Sequence, residues 1–238
     1  MLVKFLKPRS DEMAKPWKTL DSEETPHGVL ELRQRDEHEF LITIAGRILM
    51  NSHTNRSELA LAQSVCRAIK DHTAPRLLFG GLGMGCTLRA AIEELPAAAS
   101  IEVCEITPVV ARWCAGPLAG INRSALDDPR VQLEIEDVSR TIAKRADDDG
   151  KPRLDAIVLD LYEGPHAKTN AKRDPFYGTI ALDATRRALA PGGVFAIWSE
   201  APDAAFEKRV KAVGFELELI RSGKGGRRHA VYLARRKR

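Results

Sequence analysis

The apolar pattern changes twice along the chain. Up to residue 26 it has no period: the stretch is polar and carries Pro8, Pro16 and Pro26, which predicts an extended or poorly ordered arm over residues 1–27. From Gly28 it alternates, with Val29, Leu30 and Leu32, then Phe40, Ile42 and Ile44, then Gly46 and Ile48-Leu49-Met50. That alternation predicts two or three short antiparallel strands with turns near 36–38 and at Ala45-Gly46, a small β domain over 28–55. The stretch 57–70 places Leu61, Val65 and Ala68-Ile69 on one helical face behind Ser57, a plausible N-cap.

After Pro75 the segments change type in turn. Strands are predicted at 76–80, 100–106, 131–136, 154–161 and 193–199, with helices at 85–94, 108–115, 138–146, 175–189 and 203–212 between or after them. Two last strands follow near 215–221 and 228–235. Strands alternating with helices imply a parallel sheet covered on both faces, here with an antiparallel pair at its C-terminal edge. The domain boundary falls between residues 52 and 75, leaving 56–238 as the main unit.

Composition narrows the function classes. The chain has 238 residues, 44% hydrophobic and 29% charged, and no apolar run long enough to span a bilayer. The segment MLVKFLKPRS has neither a continuous apolar stretch nor a small-residue cleavage site, so a cytoplasmic protein is expected, neither secreted nor membrane-bound. Cys66, Cys86, Cys104 and Cys114 form no CxxC pair and read as reduced structural thiols. The net charge of +4 collects in 223–228 and in Arg235-Arg236-Lys237-Arg238, while aromatics are 5%. A solvated end is expected there, and no nucleic-acid partner. No metal site is indicated, and His53, His166 and His229 have no orienting acid at a recognisable spacing.

The chemistry-bearing residues stand at strand ends. Strand 76–79 runs into Gly80-Gly81-Leu82-Gly83-Met84-Gly85 and then a helix. Glycines allow a sharp turn and close approach to a ligand, and the helix start offers unpaired N–H groups. Glu105 ends the next strand, where a doubly wound sheet sets an acid against ribose hydroxyls; the other reading is a solvated carboxylate. Asp137 closes the third, either to accept from an adenine amine or to cap the next helix. Asp160 ends the fourth, with Glu163 in the loop beyond. Ligands of open α/β sheets bind outside the carboxyl ends of the strands, so these positions share one crevice. The spacing Gly81-x-Gly83-x-Gly85 differs from G-x-G-x-x-G, and no hydride-transfer constellation follows. A sulfonium nucleoside of the S-adenosylmethionine type is therefore expected in place of a nicotinamide.

Across residues 28–235 the sequence resembles the spermidine synthase family, the polyamine aminopropyltransferases, as a divergent member. The resemblance is carried by the glycine turn, by 122–131 (NRSALDDPRV), by Asp137-Val138, by 160–167 (DLYEGPHA), by Phe176-Tyr177 and by 189–193 (LAPGG). It implies a methyltransferase-like, Rossmann-type sheet behind a small N-terminal β-hairpin domain, usually in a homodimer. It further implies decarboxylated S-adenosylmethionine as co-substrate, held by Gly80, Gly81, Gly83, Gly85, Glu105, Asp137 and Val138. A small amine such as putrescine would be the acceptor, with Asp160 helping to remove its proton, Glu163 anchoring the far ammonium and Tyr162 lining the pocket. There are departures: in the glycine turn Leu82 stands where the family has an aspartate, and on the amine side Glu163 stands where it has Asp, Ser57-Glu58 and Leu61-Ala62-Gln63 in its aspartate-glutamate and Tyr-His-Glu register, and His27-Gly28 in place of its Tyr-Gln pair. An S-adenosylmethionine-dependent methyltransferase and a noncatalytic nucleoside-binding relative are the alternatives.

Overall fold

The computed structural model describes residues 15–148, 150, 152–221 and 229–237. Four strands, β1 (Lys18–Thr25), β2 (Gly28–Asp36), β3 (Glu39–Ile44) and β4 (Arg47–Asn51), form an antiparallel sheet in chain order. The expected arm over 1–27 is thus replaced from Lys18 onward by a strand; residues 1–14 lie outside the described ones. The polar sequence of β1 concealed it, because its backbone pairs Thr25↔Gly28 through Lys18↔Gln34 while most of its side chains face water.

Helix α1 (Arg56–Ala68) leads into the second sheet. Its cap is Asn55 in place of Ser57, which lies in the first turn with its hydroxyl given to Glu58. The second sheet contains β5 (Arg76–Gly80), β6 (Ser100–Cys104), β7 (Val131–Glu134), β8 (Leu154–Leu159), β9 (Leu189–Ser199), β10 (Phe215–Arg221) and β11 (Ala230–Arg236), in the order β10-β11-β9-β8-β5-β6-β7. β7, β6, β5, β8 and β9 are parallel, and β11 and β10 are antiparallel, as expected for the C-terminal edge. Between them run α2 (Cys86–Glu94), α3 (Pro108–Ala115), the one-turn α4 (Ala119–Asn122), α5 (Val138–Asp147), α6 (Thr179–Ala188) and α7 (Ala204–Ala212). Central β8, LDAIVL, is buried throughout, as a strand covered on both faces must be.

The two faces of this sheet belong to different cores. Leu78, Ile157 and Phe195 pack with Leu182, Phe206 and Tyr232 on one side. Leu77, Phe79 and Val158 pack on the other with Leu61 and Val65 of α1 and with Leu30, Leu32, Phe40 and Ile42 of the small sheet. The small sheet therefore shares its core with the main one, and the Trp113 indole on α3 donates to Asp21 of β1 at 2.8 Å to fix the junction. In the tail, Arg235 and Arg236 are half-buried in β11 and donate to the Gly192 and Ala68 carbonyls, and to those of Arg186 and Leu189, while Lys237 is exposed and residue 238 lies outside the described ones. The basic stretch 223–228 lies outside the described residues. All four cysteines are free and buried, and burial pushes the Cys66 and Cys114 thiols up to about 12, where they are inert.

Candidate active site

Backbone hydrogen bonds carry the parallel ladder one residue past the strand ends and align the predicted positions in a row. Gly81 donates to the Cys104 carbonyl at 2.9 Å, Glu105 to that of Glu134 at 3.0 Å, and Asp160 to that of Gly80 at 3.0 Å. The ends of β5, β6, β7 and β8 thus form one edge, with the glycine turn in the middle.

The turn is built from left-handed residues, Gly81 at φ 87°, Gly83 at φ 54° and Gly85 at φ 78°, a region costly for side chains. At Gly81 space forbids one as well, since a Cβ would lie 2.4 Å from the Asp160 carbonyl oxygen; one on Gly83 would lie 2.5 Å from the flexible end of Met50, its Sδ. Met50 comes from β4, so the small sheet lies over the turn. Gly80 has Val138 Cγ1 2.7 Å from its would-be Cβ, and Val138 is buried beneath the turn. Gly85 caps α2 without a side-chain hydrogen bond, and the first N–H groups of that helix point toward the turn.

Glu105 and Asp137 flank the turn as expected, and both carboxylates already bind backbone. Glu105, 7% exposed, accepts from Leu82 N at 2.9 Å through one oxygen and from Thr107 N at 2.8 Å through the other. Burial raises its pKa, and these bonds oppose the rise. It is a buried strut of the glycine turn, whereas a solvated end was its other reading. Asp137 takes the N-cap role: Oδ1 accepts from Ser139 N at 2.8 Å. Each carboxylate oxygen has two lone pairs, so both acids keep acceptor capacity for a ligand.

Asp160 lies just past β8, half-buried, with Oδ2 accepting from Thr87 Oγ1 at 2.5 Å. Burial first, and then the neighbouring charge of Glu58, push its carboxyl up to about 7, against the pull of the Thr87 hydroxyl. Beyond it the loop turns away. Tyr162 is 54% exposed, and Glu163, its side chain 62% exposed, pairs with the His166 ring at 3.1 Å. Buried Tyr177 holds this loop by donating its hydroxyl to the Glu163 carbonyl, and Gly164 presses on the end of β9. The row therefore unites Gly80, Gly81, Gly83, Gly85, Glu105, Asp137 and Asp160, with Val138 packed beneath; Tyr162 and Glu163 stand at its outer rim.

Three further residues face this edge without having been singled out as site residues. Glu58, in the first turn of α1 and 9% exposed, accepts from Ser57 Oγ at 2.7 Å. The Ser57 oxygen lies 3.1 Å from His229 Nδ1. The His229 ring stands edge-on to Trp198, centroids 5.0 Å apart. The sequence signal was thin: an acid in a helix first turn is common, and 172 positions separate Ser57 from His229. Among the described residues neither Glu58 nor Asp160 has an arginine or lysine partner, and no group of three His, Cys, Asp or Glu residues is set to hold a metal ion.

No family model matches the chain. Over 148 residues, 62% of its length, it is 28% identical to a polyamine aminopropyltransferase of Mycobacterium tuberculosis, and the match takes in 27% of that protein. Over 52% of its length it is 28% identical to a polyamine aminopropyltransferase of Aeropyrum pernix, covering 37% of that one. It thus spans well under two thirds of these relatives. In structure it is similar to a spermidine synthase of Thermotoga maritima, with a TM-score of 0.71 at 17% identity over 98% of this chain and 82% of the other. A spermidine synthase in complex with the transition state analogue AdoDATO gives 0.70, also at 17% identity, with the same coverage of each chain. These structural matches establish a shared fold, and no helix among the described residues is long and apolar enough to cross a membrane.

Proposed function

Taking the chain as a divergent relative of the polyamine aminopropyltransferases, we propose that it transfers an aminopropyl group from decarboxylated S-adenosylmethionine to a small amine such as putrescine. One observation carries the reading: two acids, Asp160 and buried Glu58, stand together beside the glycine turn without a cationic partner among the described residues. Carboxylates out of water need a counter-charge. An alkylammonium supplies it from one side, and the sulfonium of the co-substrate from the other.

The nucleoside occupies the turn, its ribose hydroxyls donating to Glu105 and its adenine amine to Asp137, by the lone pairs that the backbone leaves free. The acceptor ammonium, with an ordinary pKa of about 10.4, must lose a proton before it can attack. The neutral nitrogen then displaces sulfur at the adjoining methylene: an N–C bond forms, the C–S bond breaks, methylthioadenosine leaves as a neutral thioether and the positive charge passes to nitrogen. No covalent enzyme intermediate is needed, so alignment supplies most of the rate. A cytoplasmic homodimer belongs to the same reading, and light scattering tests the dimer.

Calorimetric titration with methylthioadenosine, S-adenosylhomocysteine and decarboxylated S-adenosylmethionine, followed by incubation of the last with putrescine, tests the function. Binding of the decarboxylated ligand and release of methylthioadenosine are expected. Preference for S-adenosylhomocysteine without amine consumption would move the chain to the methyltransferases. Nucleoside binding with no turnover on any amine would leave a noncatalytic relative.

A further inference from the structure

An antiparallel strand added to a parallel sheet starts where the parallel strands end. β11 begins with Ala230 opposite Ser199, the last residue of β9, so His229 is delivered to the ligand-bearing edge of the sheet. There it meets the first turn of α1. Ser57 gives its hydroxyl hydrogen to Glu58 Oε2; a carboxylate only accepts, so that hydrogen is committed and the serine oxygen can only accept in turn. The atom beside it, at 3.1 Å, is His229 Nδ1. That nitrogen must then carry hydrogen, which leaves Nε2 as the basic nitrogen of the neutral ring. Among the described residues Nε2 has no hydrogen-bond partner, while Trp198 holds the ring plane from the side.

We propose that Glu58, Ser57 and His229 form a hydrogen-bonded relay that fixes the imidazole as its Nδ1–H tautomer, and that Nε2 takes the proton from the acceptor ammonium. The proposal rests on the aminopropyl-transfer reading above and divides labour within it. A carboxylate that accepts the proton loses the charge with which it held the amine. With His229 as acceptor, Asp160 and Glu58 keep their charges while the nitrogen lone pair is freed. The N–H bond of the ammonium breaks, an Nε2–H bond forms, and the imidazolium returns its proton to water after methylthioadenosine has left. Glu58 and Ser57 are positioning residues; His229 is the group that meets substrate.

Nitrogen-15 labelling of histidine, read by long-range proton–nitrogen correlation on the whole unliganded protein above pH 8, tests the relay without any turnover. His229→Asn identifies the signal among the six histidines and keeps a donor where Nδ1 stands. The expected pattern is Nδ1–H in the wild type and a shift toward Nε2–H in Ser57→Ala. An Nε2–H ring in the wild type, or an unchanged ring in Ser57→Ala, overturns the relay whatever the enzyme does. For the proton-accepting role, His229→Asn is expected to lower kcat by about 100-fold or more with the affinity for methylthioadenosine changed less than about twofold; unchanged kcat overturns that role with the relay intact. A wild type that consumes no amine overturns the functional reading and the proton-accepting role together, and the tautomer still decides the relay.

Discussion

The two halves of the crevice are built in opposite ways. On the nucleoside side the acids serve the backbone: Glu105 ties Leu82 and Thr107, and Asp137 caps α5. On the acceptor side they meet side chains: Thr87 donates to Asp160, Ser57 to Glu58, and the His166 ring meets Glu163. The first half is rigid because each acid holds a turn that must be held with or without a ligand. The second consists of polar groups on α1 and α2 and just beyond the ends of β8 and β11, brought together by the docking of separate elements. Substitutions on the acceptor side can therefore change its chemistry without unpinning the backbone of the nucleoside turn.

Asp160→Asn is the hardest blow to the acceptor half. Transfer is expected to fall by about 100-fold or more because the ammonium loses its counter-charge, with methylthioadenosine binding retained; comparable loss of both in calorimetry would show that the halves are not separable. The same variant should gain stability. Folding raises the Asp160 carboxyl from 3.8 to about 7, so the folded state holds its proton more tightly and the stability it contributes is lost as the pH rises through about 7. Asp160→Asn should thus be more stable than the wild type at pH 8, by on the order of 2–4 kcal/mol, with the gain gone near pH 4. An equal gain at both pH values would show that burial of this charge is not the cause.

Glu105→Ala attacks the other half. It strands the buried Leu82 N–H, at about 1–3 kcal/mol, and the half-buried Thr107 N–H, which water can partly satisfy, and should weaken nucleoside binding together with thermal stability. Unaltered melting would remove Glu105 from its place as a strut.

The next pair sharpens the acceptor side. If ionised Asp160 binds the amine, activity falls as the pH drops through about 7. Glu58→Gln removes a like charge and should move that limb to lower pH, whereas Thr87→Val removes the stabilising donor and should move it higher. Shifts in the same direction in the two pH profiles would contradict the arrangement. Glu163→Ala should do least. Its pair with His166 is exposed and worth about 0–1 kcal/mol, so a modest rise in KM for the amine with little change in melting is expected.

Legibility in the sequence follows the same division. Gly81, Gly83, Gly85, Glu105, Asp137 and Asp160 could be placed in one crevice because parallel strands separated by helices put every strand end on one edge. The strand order supplied the rest. Strand β1 was not legible: an edge strand with little buried surface has no apolar alternation to display. Nor was the sharing of one core by the small sheet and the main one, since Leu30 and Leu77 show only that each is buried, not against what.

Local pattern decided the elements of the main sheet, the glycine turn and the acids at the strand ends, because hydrophobic period and backbone conformation are properties of neighbours along the chain. Only the tertiary structure decided that Ser57 meets His229, that Glu58 raises Asp160 and that Met50 covers Gly83. Those contacts depend on how α1 and the small sheet dock over the ends of β5, β8 and β11. Docking is set by the shapes of two packed surfaces, and no spacing along the chain records it.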